Sequence, residues 1–526
     1  MRPFDSNGAF QAAADAGDKL RLVAVRGAGV TVFSSILGLA VQIIATVVLA
    51  RILTPGDFGV VAMVTTFSLL LMNFGLNGFT EAVLQREVID HALASNLFWI
   101  NLGIGSFLTI GFAAAGSLLA WFYGDPRVAR VAAGMSLTII VTSASVQHLA
   151  LLKRAMRFSV VSATDLAARA TSVAVSILLG WAGWGYWALV AGAVAQPMAT
   201  CIGAWSACQW IPGLPRRANG TASMVRFALN IYGRFSVNYF ARNMDNLLVG
   251  WRFEAQAFGF YKKAYDLFAL SAGLLVSSTT SVAVSALSRL NRDSEHFKRH
   301  LLSALALVAF LGMGLSGELT IVGKDLIRLL LGAGWEPAGR IFTFFGPGIG
   351  VMLLYGTTGW IHLSIGRADR WFRWGVVEFL VTGLLFLLGL RWGPAGVAVA
   401  WTSSFWILLL PGLWYATRPI RLGLTPVIVA VWKYFLASLL AGCASAVILQ
   451  ELPSFVAAPT VVGAATRMGI ASLLFVILYF CAVILLHQGC APLYQIVRLL
   501  REMLPGQGLR SRLSRAVATS RAKASA

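Results

Sequence analysis

This sequence predicts an all-α integral membrane protein of about 14 transmembrane helices, built as two parallel six-helix lobes followed by two additional helices. Three observations predict it. Of 526 residues, 58% are hydrophobic and 12% charged, where a soluble domain carries about 25% charge. Apolar runs of bilayer length succeed one another from residue 30 to residue 487, and the mean hydropathy is +0.76. Lysines and arginines, finally, are divided unevenly between alternate loops.

In chain order, residues 1–29 read as a cytoplasmic N-terminal segment. They mix Asp5, Asp15 and Asp18 with basic residues and lack the short apolar core of a cleavable signal. The first spanning helix is therefore expected to direct insertion. Apolar runs near 30–50, 58–80, 97–121, 128–150, 160–180 and 185–210 make a first lobe over 30–210. A cytoplasmic loop, 211–224, leads to a second lobe over 225–416. Its runs fall near 225–250, 258–285, 301–323, 339–365, 372–391 and 393–416. Runs near 427–449 and 468–487 supply the two additional helices, spanning 427–487. Residues 488–526 form a basic cytoplasmic tail, expected to be disordered or to lie on the anionic inner leaflet. Trp121, Trp181, Trp184, Trp187, Trp210, Trp251, Trp371, Trp374, Trp392 and Trp414 sit at run ends, where amphipathic rings prefer the headgroup layer.

With both termini cytoplasmic, 28 basic residues lie on that side and 11 on the other, leaving Arg169, Arg234 and Arg242 inside spans. The positive-inside rule then predicts an N-in, C-in topology. The formal charge of +21 thus speaks of membrane orientation and not of nucleic acid. Cys201, Cys208, Cys443, Cys481 and Cys490 show no zinc-type spacing and are expected to be buried free thiols. No loop is long enough to fold as a catalytic domain.

Two stretches repeat. VLARILTPGDFGVVAMVTTF at 48–67 aligns with LVGWRFEAQAFGFYKKAYDL at 248–267, placing Phe58-Gly59 on Phe258-Gly259. In each a helix, a short polar turn and a second helix surround the dipeptide. Both repeats begin on the same side of the membrane, so the two lobes are parallel, related by an axis along the membrane normal.

LARILTPGDFGVVAMVTTFSLLLMNFGLNGFTEAVLQRE and NYFARNMDNLLVGWRFEAQAFGFYKKAYDL resemble the polysaccharide-transport family, the Wzx-type oligosaccharide-lipid flippases. Their superfamily also holds the multidrug and toxin extrusion transporters. The resemblance covers residues 25–420. It implies a V-shaped pair of lobes that open alternately, and a cargo of undecaprenyl-diphosphate-linked oligosaccharide repeat units moved from the cytoplasmic to the periplasmic leaflet of a bacterial inner membrane. Such a protein needs no cofactor or metal. Its partners are the lipid-linked oligosaccharide, membrane lipids, and the polysaccharide polymerase and export machinery.

The candidate substrate-binding residues centre on 225–260. Asn230, Arg234, Asn238, Arg242 and Asp245 follow one another at steps of four, four, four and three. At about 100° per residue they wind as one polar stripe of roughly 120°. An arginine at mid-bilayer costs about 2.5–3.5 kcal/mol, so two in one span face protein or water. Arg242 and Asp245, three apart, are placed to neutralise each other, whereas Arg234 has no acid at helical spacing. Either acids on other helices satisfy the stripe and lock the bundle, or Arg234 stays cationic to meet a passing anion.

Ser162, Asp165, Arg169, Ser172 and Ser176 share a face of the fifth span, with Asp165–Arg169 as an ion pair that either packs between helices or lines the cavity. Asn73, Asn77, Thr80 and Glu81 make a polar edge on the second, suited to sugar hydroxyls or to joining helices. Glu378 and Glu318 are the remaining deep acids, candidates for ion coupling. Lys262, Lys263 and Asp266 mark an interface. His148 and His362 are lone and read as structural.

A cation-coupled small-molecule exporter is the nearest alternative, but it calls for a surplus of deep acids. A membrane polymerase or transferase calls for a long outer loop. No Walker-type Gly-Lys-Ser/Thr sequence is present.

Overall fold

A computed structural model describes residues 3–5, 8–10, 16–86, 88–216, 220–290, 294–451, 460–490 and 493–494. The tail expected over 488–526 lies almost wholly outside the described residues. The chain runs α1 (Ala16–Ile52), α2 (Pro55–Gln85), α3 (His91–Ala114), α4 (Gly116–Tyr123), α5 (Arg127–Arg154), α6 (Phe158–Trp181), α7 (Tyr186–Cys208), α8 (Thr221–Arg242) and α9 (Met244–Arg252). It continues through α10 (Ala255–Leu290), α11 (Ser294–Leu331), α12 (Glu336–Phe345), α13 (Ile349–Ser364), α14 (Ala368–Gly389), α15 (Gly393–Thr417), α16 (Leu424–Gln450) and α17 (Val461–His487). Extended pairing among the described residues is limited to the isolated bridges Phe4–Phe10 and Ala9–Asp90.

Among the described residues, 11 helical stretches are long and apolar enough to cross a membrane. The difference from the expected number has a physical source. Residues 369–420 count as one stretch yet contain most of α14 and all of α15, α8–α9 carry the polar stripe that lowers their hydropathy, and the run expected near 258–285 on α10 includes side chains outside the described residues.

Local chemistry fixes the helix starts. Thr54 caps α2 in a reciprocal box: Asp57 N–H donates to Thr54 Oγ1 at 3.3 Å and Thr54 N–H to Asp57 Oδ2 at 3.0 Å. Pro55 at the first helical position loses no hydrogen bond there. Asp90 caps α3 by accepting from Leu93 N–H at 2.7 Å, and Thr460 caps α17 by accepting from Gly463 N–H at 3.0 Å. The α5–α6 and α13–α14 turns are built alike. Met156 (φ 56°) and Gly366 (φ 69°) take the left-handed position, followed by Arg157 N–H donating to Leu152 O at 3.0 Å and Arg367 N–H to His362 O at 2.9 Å.

By contacts the chain forms two compact units. The first holds Met1–Leu267, Ile327–Ile341 and Val381–Ala400; the second holds Phe268–Leu326, Phe342–Leu380 and Trp401–Ala526.

In the first unit α5 is the buried axis, packed by α2, α3 and α7. Its hydroxyls are tolerated there because Ser136, Thr138, Ser143 and Ser145 donate to carbonyls three or four residues back. Phe74, Phe79, Ile89, Leu97, Leu151 and Trp210 form part of its apolar core. Arg154, at the C-terminal end of α5, donates to Val83 O and Arg86 O, both at 2.6 Å, and lies 5.3 Å over the Phe10 ring. It thereby satisfies carbonyls that end α2. Arg154→Ala is expected to cost about 1.5–3 kcal/mol, read as earlier thermal unfolding of the detergent-purified protein. Arg154→Lys should recover only part, having no planar fork.

In the second unit α16 and α17 are seated on α11. Ser438 Oγ donates to Met313 O and Tyr479 Oη to Phe310 O, both at 2.7 Å. Arg467 pairs with Asp325 at 2.6 Å, and Ser472 donates to Glu318. Gly314 and Gly317 leave room for the Tyr479 and Phe475 rings. The five cysteines are free, as expected, but only Cys208 is buried, Cys201 is half-buried, and Cys443, Cys481 and Cys490 are exposed. In a membrane helix apolar residues face outward as well as inward, so an apolar neighbourhood does not imply burial.

Candidate functional site

The stripe on α8 is exposed because the opposite face of the helix is committed. Ala228 packs on Gly78 of α2, Tyr232 Oη donates to Leu70 O at 3.0 Å, and Tyr239 Oη donates to Thr66 O at 2.7 Å. The Tyr232 ring also meets Phe74 edge-on at 4.7 Å. Measured from the centre of these anchors, Asn230 and Arg234 lie about 180° and 140° round the helix, Asn238 about 100° and Arg242 about 60°, and all four are exposed. Among the described residues neither Arg234 nor Arg242 has an ion pair.

Asp245 departs from the stripe. The helix breaks at Asn243 (φ −115°, ψ 14°), and Asp245 enters α9. Its side chain is 1% exposed and accepts from Tyr261 Oη at 2.8 Å. The expected neutralisation of Arg242 by Asp245 therefore does not occur. The rule of three residues holds only on an unbroken helix, and Asn243 interrupts this one.

Asp165 and Arg169 pair as the spacing predicts, Nε to Oδ2 at 2.8 Å, with side chains 53% and 42% exposed. Arg169 lies against Gly38 of α1. The rest of that face divides: Ser162 reaches Thr31 at 3.5 Å, whereas Ser172 donates to Gly192 O at 2.7 Å and Ser176 is buried against Gly192. Asn73 donates to Leu69 O of its own helix at 2.7 Å, Thr80 is buried and Glu81 is exposed. The side chain of Asn77 lies outside the described residues.

In the second unit Trp374 Nε1 donates to Tyr355 Oη at 2.7 Å, and Tyr355 Oη donates to Glu378 Oε2 at 2.9 Å. Glu318 is held by Ser472 of α17. His148 is buried, 3.0 Å from Trp210 O and stacked on Trp205, and His362 is buried beside Tyr415. Among the described residues no group of three His, Cys, Asp or Glu side chains is placed to hold a metal.

The repeated dipeptides meet. A Cβ placed on Gly59 would overlap Ala255 O, and one on Gly259 would overlap Pro55 O, so the first turns of α2 and α10 touch backbone to backbone. Phe58 and Phe258 are buried beside the contact, and Lys263 Nζ lies 4.1 Å over the Phe58 ring. Trp335 wedges in, 2% exposed, with Nε1 donating to Ala50 O at 2.9 Å and its ring 5.5 Å from Phe58 and 5.9 Å from Phe260.

Above this contact the turns α1–α2, α4–α5 and α9–α10 enclose a cavity of about 760 Å³ edged by Thr54, Asp125, Arg127, Trp251 and Glu254. Burial raises the Asp125 pKa, but hydrogen bonds and charge from Arg127, with Arg130 behind it, bring it below the usual carboxylate value. With a depressed folded-state pKa, the turn's contribution is complete above the unfolded carboxylate pKa of about 3.9 and is lost as pH falls through the lower folded value. Asp125→Asn is expected to remove that pH dependence from thermal unfolding scans taken between the two values.

Comparison with known proteins adds the following. The polysaccharide biosynthesis protein family model matches residues 48–340. The succinoglycan biosynthesis transport protein ExoT of Rhizobium meliloti (strain 1021) is 20% identical over 410 residues, 75% of this chain and 83% of that protein. The lipopolysaccharide biosynthesis protein WzxC of Escherichia coli (strain K12) is 21% identical over 427 residues, 77% and 85% of the two chains. The fold is similar to that of the lipid II flippase MurJ in its inward closed conformation, with a TM-score of 0.68 and 17% identity over 86% of this chain and 98% of that one.

Proposed function

Because this chain belongs to the polysaccharide biosynthesis protein family, whose model covers residues 48–340, we propose that it is a flippase for lipid-linked oligosaccharides. It carries undecaprenyl-diphosphate-linked repeat units from the cytoplasmic to the periplasmic leaflet of a bacterial inner membrane, with both termini cytoplasmic. The observation that carries the reading is a guanidinium, Arg234, exposed on α8 with no ion pair among the described residues.

The physical need is solvation. A diphosphate and its sugars cannot leave water without replacement hydrogen bonds, since each lost bond costs several kcal/mol. Arg234 meets phosphate oxygens two at a time through its planar fork, and Arg242 adds charge about two turns along the helix. Asn230 and Asn238, with Asn73, Asn77 and Glu81 on α2, take sugar hydroxyls. Arg169 exchanges its partner Asp165 for cargo phosphate, and Asp245, beyond the break at Asn243, is held by Tyr261. The prenyl chain stays in lipid throughout.

The lobes 30–210 and 225–416 alternate in opening, while the helices of 427–487 brace the second. An inside-negative potential favours outward movement of anionic charge by about 2.3 kcal/mol per charge per 100 mV. Glu378, reached by Tyr355, takes the coupling ion. Glu318, tied to Ser472, holds α17, so Glu318→Gln should leave flipping within about twofold, its amide still accepting from Ser472. Measurement in reconstituted vesicles checks that expectation. The polysaccharide polymerase and export machinery act on the delivered units.

The test is a deletion strain in which lipid-linked intermediates are sorted by leaflet. Transport predicts repeat units accumulating at the cytoplasmic leaflet. Single units accumulating at the outer leaflet would instead place the protein after translocation.

A further inference from the structure

We infer that the crossing of α2 and α10 at Gly59 and Gly259 is the outer gate of the transport path, a seal of backbone on backbone that closes only because neither position carries a side chain. The inference rests on the transport reading for its cargo and orientation, but its geometry stands independently.

Two features make the contact a device and not incidental packing. It is reciprocal: Gly59 covers Ala255 O while Gly259 covers Pro55 O, and each residue of one pair occupies the repeat position of a residue in the other. A local two-fold axis therefore passes through the contact, as expected where two equivalent helices swing apart and return. The neighbouring atoms are also backbone, which cannot rotate away. A Cβ on Gly259 would stand 3.2 Å from Gly59 N, and one on Gly59 would stand 3.1 Å from Ala255 Cα, besides overlapping the carbonyls.

Around the glycines the packing is largely apolar, with the Lys263 ammonium 4.1 Å over the Phe58 ring. Phe258, Met63 and Trp335 are 0%, 1% and 2% exposed. The indole N–H of Trp335 is satisfied by Ala50 O, and Arg51 Nη2 ties to Leu329 O at 3.0 Å, joining the α11–α12 connection to the end of α1. Separation of α2 from α10 breaks the Lys263–Phe58 cation–π contact and no ion pair between the two helices among the described residues. By the positive-inside rule these turns lie on the outer side. A methyl at either glycine therefore raises the energy of the closed state while leaving the open state untouched, which shifts the population outward.

The test uses Met63→Cys, one helical turn below Gly59 and shut off by the seal, in a protein whose five native cysteines are replaced by serine. A membrane-impermeant maleimide is added to the outer side of right-side-out vesicles. Parent protein and Gly56→Ala, whose added methyl would meet nothing closer than 3.8 Å, should label slowly. Gly59→Ala and Gly259→Ala should each label about tenfold faster or more. Labelling of both at the parent rate overturns the inference. Should a glycine variant fail to insert, as judged by gel filtration in detergent, Trp335→Ala serves in its place, with faster labelling expected and an unchanged rate again overturning it. Because the readout is access and not cargo movement, it fails separately from the flippase reading.

Discussion

Arg234→Ala is expected to slow outward movement of lipid-linked oligosaccharide by about 10- to 100-fold, equivalent to about 1.4–2.8 kcal/mol. The guanidinium is exposed on α8 while the far side of that helix is fixed to α2 by Tyr232 and Tyr239. Its removal deletes cationic donors without disturbing packing. Arg234→Lys keeps the charge but loses the fork, so an intermediate rate is expected. Because no internal partner among the described residues is left behind, thermal stability should change little. A large stability loss with an unchanged rate would make the residue structural.

Gly317→Leu carries the second large effect, on stability. A Cβ there would stand 2.5 Å from Phe475 Cζ and 2.6 Å from Ser438 Oγ. Leucine must displace the ring and the hydroxyl together. Overpacking costs about 1–3 kcal/mol, and losing the Ser438–Met313 hydrogen bond adds about 1 kcal/mol. Thermal unfolding followed by tryptophan fluorescence should move markedly lower. Gly442→Leu on α16, with nothing within 4 Å of its Cβ, should leave it unchanged. Equal shifts for the two would mean that α11 is not the seat of the C-terminal helices.

Much of this architecture is legible because the bilayer imposes length and apolarity on every spanning helix. The Phe-Gly repeat is legible as a repeat, but its consequence is not: that Gly59 and Gly259 touch is a long-range fact no local pattern states. The stripe stays on exposed positions of α8 as far as Arg242. It fails at Asp245 because a helical wheel presumes a continuous helix, and Asn243 breaks this one. The hydrogen bond from Ser472 to Glu318 joins residues 154 positions apart, so a deep acid that looks free in sequence turns out to be tied. Trp335 offers no signal beyond being one tryptophan in a short loop. Its role comes from Phe58, Phe260 and Ala50, remote in the chain.

The most direct measurement compares how wild-type protein and Arg234→Ala bind undecaprenyl diphosphate and undecaprenyl monophosphate, by native mass spectrometry from the same detergent. If Arg234 meets the passing anion, wild-type protein prefers the diphosphate by about tenfold, one bidentate contact, and the variant loses most of that preference. Equal discrimination by both proteins would contradict the account.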